Sequence, residues 1–199
     1  MAGVVAGSGS DDVTLISTGA ILDGDTGGDT LDIVADTATL TASTGIGTTN
    51  RLDLNVSILN ANTTSTDPGS DIIAFEQNDI FLNDVSTVNG EVDIIANGTI
   101  SLGSVDATII NDVTLQSIDG NIVLSSGSGV VTGYTVTLDT NVETGLVEDE
   151  NLDITFNTEL IIIDSRPSAS GDLESGLASG SNNTVLEQFT ENVGGSEGC

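Results

Sequence analysis

Lysine, histidine and tryptophan are absent from this 199-residue chain, and its basic side chains are Arg51 and Arg166. Each absence excludes a class of function. A phosphate backbone needs lysine or arginine to displace its counterions, so nucleic acid is no partner for this sequence. Without histidine there is no Ser-His-Asp triad, no Cys-His pair and no imidazole for a metal. Without lysine there is neither a Schiff base nor a P-loop. Cysteine is confined to Cys199, so no internal disulfide forms, and that thiol is read as incidental or as a link to a partner. No apolar run approaches the length of a membrane helix, so no membrane insertion is expected. Met1 to Ser10 has neither a basic stretch nor a long apolar core, and so does not read as a secretion signal.

What is present is acid and small aliphatics. Asp and Glu number 31 against 2 basic residues, a net charge of −29. Such a surface is repelled by anionic membranes. Yet 37% of residues are hydrophobic and mean hydropathy is +0.17, too apolar for a disordered acidic tail. Aromatics make up only 3%, so the core has to be built from Val, Ile and Leu. Thin stacked layers suit such residues better than a rounded globule does.

The chain repeats itself. Val13-Thr-Leu-Ile, Leu31-Asp-Ile-Val, Leu52-Asp-Leu-Asn, Ile72-Ile-Ala-Phe, Val92-Asp-Ile-Ile, Val113-Thr-Leu-Gln and Leu152-Asp-Ile-Thr are variants of one phrase, with Val136 in the wider gap. Their starts recur at about twenty residues, a spacing typical of solenoids. Inside a unit, Val92, Ile94 and Ala96 alternate, Gly98 makes a turn, Ile100 and Leu102 alternate again, and Val105 and Ile109 close the unit. Alternation by two with Gly, Asn and Asp at the breaks reads as short strands joined by turns. One unit cannot bury its apolar face alone; stacked units can. The expected fold is all-β: a right-handed parallel β-helix, or β-solenoid, of about seven to eight coils, on the order of 35 Å long at the strand spacing. An immunoglobulin-like sandwich is the rival, but it does not demand a steady repeat. Val13, Leu31, Leu52, Ile72, Val92 and Val113 are expected to stack in one column, with Leu15, Ile94 and Leu115 pointing inward.

The expected organisation is a leader or linker at 1–10, the β-helix at 11–164 and a tail at 165–199. Leu160 to Ile163 is the last strong strand, and Pro167 ends the strand pattern. Residues 168–182 are rich in Ser and Gly and read as a flexible linker. Val185, Phe189 and Val193 recur every four residues, so the tail is a candidate for a short helix.

Two stretches resemble a known family. Ala38-Thr-Leu-Thr-Ala-Ser-Thr-Gly-Ile-Gly-Thr48 followed by Leu52-Asp-Leu-Asn-Val-Ser-Ile-Leu-Asn-Ala61 is similar to the repeats of filamentous haemagglutinin-like large exoproteins. So is Asn78-Asp-Ile-Phe-Leu82 followed by Val92-Asp-Ile-Ile-Ala-Asn-Gly-Thr-Ile100. The resemblance covers residues 11–164. It implies a secreted or bacterial cell-surface location and adhesion to a host or neighbouring cell surface, or to matrix glycans or proteins. It also implies export through an outer-membrane transporter by two-partner secretion. The Asn-Pro-Asn motif of that family's secretion domain is not in this chain, so the expectation is a shaft segment of a larger adhesin without catalysis. A second reading is an extracellular filament subunit that self-associates end to end; a third is a polysaccharide-active enzyme.

Three candidate chemistries arise from the acids and hydroxyls. Gly24-Asp-Thr-Gly-Gly-Asp-Thr-Leu-Asp32 resembles the calcium nonapeptide G-G-x-G-x-D-x-U-x, which makes Asp25, Asp29 and Asp32 the candidate ligands of a weak calcium turn. The alternative is a plain turn in which glycine supplies positive φ. No other cofactor is expected. For carboxylate catalysis the available acids are Asp71, Glu76, Asp79, Asp84, Glu91 and Asp93, and no spacing singles out a pair. The row Thr37, Thr39 and Thr41 would suit ice binding only if repeated in register, which the other units do not do.

Overall fold

A computed structural model describes residues 11–24, 30–48, 50–124 and 129–140, and the backbone alone of further strands at Val4–Val5, Val147–Glu148, Ile154–Asn157, Leu160–Ser165 and Thr184–Glu187. It is an all-β parallel solenoid of about five turns, with no helix among the described residues. The turn from Val92 to Asp112 shows the plan. Val92–Ala96 is one strand, Asn97 to Thr99 make a corner, Ile100–Asp106 is the next strand, and Ala107 to Asp112 lead into the following turn. Val92, Ile94, Ala96, Ile100, Leu102, Val105 and Ala107 are buried. The step from Leu102 to Val105 breaks the alternation, as that from Leu82 to Val85 does one turn earlier, and at Gly103 the backbone passes close to that turn. A β-carbon there would lie 2.8 Å from the Leu82 carbonyl and 2.9 Å from that of Asn83.

Every strand pairs in parallel with the equivalent strand one turn away. Ile21, Ile46, Ile72, Val92, Val113 and Val136 form one column. Leu52, Ala74, Ile94, Leu115 and Leu138 form the next. Leu15, Leu40, Ala61, Val85, Val105 and Val131 line another side. The core is therefore a bundle of aliphatic columns along the axis, each side chain seated on its counterpart in the adjacent turn. A narrow interior of this kind takes Val, Ile, Leu and Ala, which accounts for the scarcity of aromatics.

Five sequence expectations need correction. The described column closes about five turns rather than seven to eight. Ile72, Val92 and Val113 do stack, but Val13 sits over Ala38, Leu52 over Ala74, and Leu31 precedes the strand Ile33–Ala42 outside that column, whose earlier members are Ile21 and Ile46. The cause is that the earlier turns carry loops, which shift the repeat phrase relative to the spatial register. Ile94 and Leu115 are fully buried, whereas Leu15, in the first described turn, is only partly so. Ile109 closes nothing: it stands exposed on a turn. In the tail, the candidate helix begins instead as a strand, Thr184–Glu187, paired with Leu160–Ser165. Thr and Val there are β-branched, and an open strand edge offers them a ladder. The Ser/Gly linker at 168–182 lies outside the described residues, as does Cys199.

Candidate functional site

Two successive turns depart from the plan at the same place. Ile46 is paired with Ile72, and Leu52 with Ala74, so the segment Gly47 to Arg51 stands where the following turn has Ile73 alone. One turn earlier the excursion is longer. Ile21 pairs with Ile46, and the chain rejoins the ladder only at Asp32, whose N–H donates to the Asp53 carbonyl at 2.8 Å. Both departures thus begin from the same column, at Ile21 and Ile46. Gly47 makes the second possible. Its φ is +67°, and a β-carbon there would collide with the Ile73 carbonyl and lie 2.9 Å from the Leu52 nitrogen.

The loops bring three carboxylates together. Asp23 lies in the first loop; Asp32 and Asp53 are neighbours where the two loops rejoin their strands. One carboxylate oxygen from each lies within 4.8 Å of the others, and all three residues are buried, at 8%, 4% and 7% exposure. The Asp53 N–H donates to Asp32 Oδ2 at 3.1 Å, and the Asn50 amide donates to Asp23 Oδ2. Arg51, next to Asn50, is engaged elsewhere. Its guanidinium bridges Asp93 at 2.5 Å and donates to the carbonyls of Asp93 at 3.1 Å and Ala74 at 3.4 Å.

Buried carboxylates this close repel one another unless a proton or a cation intervenes. The donor set is all oxygen, which is what hard cations such as Ca²⁺ prefer. Asp23, Asp32 and Asp53 are therefore the residues of this structure that could hold one. The calcium turn expected at Asp25, Asp29 and Asp32 is only partly placed: Asp32 belongs to this cluster, while Asp25 and Asp29 lie outside the described residues. Asp23 and Asp53 were not among the sequence candidates. The signal for Asp53 was present, because Leu31-Asp-Ile and Leu52-Asp-Leu are the same phrase and stacking sets their aspartates side by side. Asp23 had no such signal, since only the loop's path brings it in.

The carboxylates considered for catalysis are spread over the solenoid. Asp71 and Glu91 stack at one corner, the Glu91 N–H donating to Asp71 Oδ1 at 2.9 Å. Asp79 sits at another corner and accepts the Thr99 N–H at 2.7 Å. Asp84 is exposed on a strand, and Asp93 is the partner of Arg51. Glu76 is inside, at 0% exposure, in the column between Leu54 and Ala96. Its oxygens accept the N–H groups of Val56 and Asn78, each at 3.0 Å. Burial raises its pKa from 4.5 to about 7, against the opposing pull of those N–H bonds. The threonine row is not continued: Thr37, Thr39 and Thr41 are paired with Ile58, Asn60 and Asn62.

Comparison with known protein families, with curated proteins and with solved structures finds no match.

Proposed function

We propose that this chain is a structural and adhesive shaft segment of a secreted or surface-attached bacterial β-helical exoprotein. The observation that carries the reading is the in-register ladder. The same aliphatic column runs from Ile21 to Val136, so the chain is spent on an extended scaffold. The acidic exterior fits such a role, because like charge keeps exposed solenoids soluble and apart. The repeat phrases shared with filamentous haemagglutinin-like exoproteins support the location, and with it an outer-membrane transporter as export partner. On this reading the shaft catalyses nothing; it sets distance and presents surface.

The test is export. The chain is fused behind a two-partner secretion domain, coexpressed with its transporter in a Gram-negative host, and probed with an antibody on intact cells and in the medium. Surface or medium signal that depends on the transporter is expected. Retention in the cytoplasm or periplasm with the transporter present would overturn the reading. Concentration-dependent filaments of the purified chain would favour the filament subunit instead.

A further inference from the structure

The corner between the second strand of one turn and the first strand of the next carries exposed apolar side chains in the later turns. In the later turns it is made by Thr87 to Gly90, by Ala107 to Asp112 and by Gly133 with Tyr134. These segments stack, because the strands on both sides are in register. Ser86, Asp106 and Thr132 are paired before the corner, and Val92, Val113 and Val136 after it. The Tyr134 N–H also donates to the Asn111 carbonyl at 2.6 Å. On them stand Val88, Ile109, Ile110 and Tyr134, exposed by 43%, 68%, 65% and 50%. Of the large hydrophobic side chains exposed among the described residues, only Ile16 and Leu22 lie elsewhere.

The sequence could have buried or omitted these groups. Instead Thr108 takes up φ of +59°, a left-handed conformation that a β-branched residue adopts at a cost, and the two isoleucines come directly after it. Its N–H is held by Asp106 Oδ1 at 2.7 Å. The earlier turns at the same corner carry Ser43 and Thr44, and then Thr64 to Gly69, so the apolar stripe is local to the later turns.

The flank of the stripe is acidic. Asp71, Glu91 and Asp112 occupy successive turns immediately before Ile72, Val92 and Val113. The Glu91 pKa is raised, first by partial desolvation and then by the carboxylates of Asp71, Asp112 and Asp93. The nearest cation among the described residues, Arg51, is bound to Asp93. A second copy of the chain would bring the same acidic column against itself, and an anionic lipid surface would be repelled. Charge complementarity selects a partner that brings cations to the flank and apolar side chains to the stripe.

We propose that Val88, Ile109, Ile110 and Tyr134, with Asp71, Glu91 and Asp112 beside them, form a docking surface for a lysine- or arginine-rich polypeptide segment that also carries apolar side chains. This gives the adhesive half of the proposed function a surface and rests on that half alone, so a failure of export leaves it standing.

The test uses purified full-length protein and two short fluorescent peptides, one alternating lysine with leucine and the other lysine with serine. The lysine–leucine peptide is expected to bind at least about tenfold more tightly. The double variant Ile109→Ser, Ile110→Ser should remove that advantage, while Ile16→Ser, in the same column as Asp106 but four strands away along the axis, leaves it intact. Glu91→Gln with Asp112→Asn should weaken both peptides and flatten the dependence on salt. Thermal melts check that each variant folds, and Tyr134→Ser serves if the double variant does not. Equal binding of the two peptides overturns the proposal, as does undiminished binding by the folded isoleucine or tyrosine variant. So does dimerisation of the wild type that the stripe variants abolish, since the occupant would then be a second copy.

Discussion

Glu76 is an acid in an aliphatic column, and its surroundings explain why it is tolerated. In the preceding turn the strand Leu52–Thr63 is unbroken, while the turn containing Glu76 is interrupted at Gln77 to Asp79. The Val56 N–H therefore faces a corner instead of a strand, and the Glu76 carboxylate supplies its acceptor. The cost is a buried charge. The unfolded carboxyl titrates near 4.5 and the folded one near 7, so the folded state holds the proton more tightly between those values. Stability is thus highest below pH 4.5 as far as this group is concerned, and it falls as pH rises through 7, by on the order of 3 kcal/mol. Asp53 and Asp93, on the strands paired with that of Glu76, and Asp79 in the adjoining corner are the nearby acids, and burial rather than these charges sets the shift. Denaturant melts from pH 4.5 to 8 should show the decline in the wild type and a flatter profile in Glu76→Gln. A parallel slope in both proteins would remove Glu76 from the account. A second residue-scale expectation concerns Ile94, fully buried between Ala74 and Leu115. Ile94→Asp places an unpaired charge in the column and should cost more than about 4 kcal/mol. An unchanged melting temperature would mean that the register is different.

At the scale of elements, period and alternation were legible in the sequence because they are local. Val92, Ile94 and Ala96 announce their inward faces within five residues. Stacking in the later turns could be read from the repeat, since the strands there are joined by short corners of similar length. It failed for Val13 and Leu52, where loops of unequal length intervene and the repeat phrase no longer marks the spatial register. The carboxylate cluster was half legible for the same reason: Asp32 and Asp53 share a phrase, but Asp23 arrives by a loop. That cluster carries its own prediction. Asp53→Asn neutralises one of three carboxylates whose oxygens lie within 4.8 Å of one another, while keeping the Asp53 N–H bond to Asp32. In EDTA it should raise the melting temperature by roughly 2–4 °C, the equivalent of about 1 kcal/mol for a chain of this size. It should also blunt the response to CaCl₂. A lower melting temperature in EDTA would show that the Asp53 carboxylate stabilises the fold through contacts that outweigh the repulsion.

On the scale of the whole molecule, residues 11–140, which make the about five turns, carry 19 of the 31 acids against Arg51, a net charge of −18. Adjacent turns are about 4.8 Å apart, within the Debye length of about 8 Å at physiological salt. Stacked acids such as Asp71, Glu91 and Asp112 therefore repel along the axis. Thermal stability should rise with NaCl, and more steeply per unit of ionic strength with CaCl₂. Melting curves that do not move in either salt would refute this electrostatic picture.

The ladder also decides how the molecule would yield to force. Each turn is held by the turns on either side, so a pull on one chain end should peel the rod a coil at a time, like thread from a spool. Each event would release on the order of 70 Å of contour for about twenty residues. Arg51 interrupts that sequence. It reaches past Ile73 to Asp93 and so clasps turns that are not adjacent. Peeling from the amino-terminal side should hesitate when it meets that clasp, and Arg51→Gln should erase the pause.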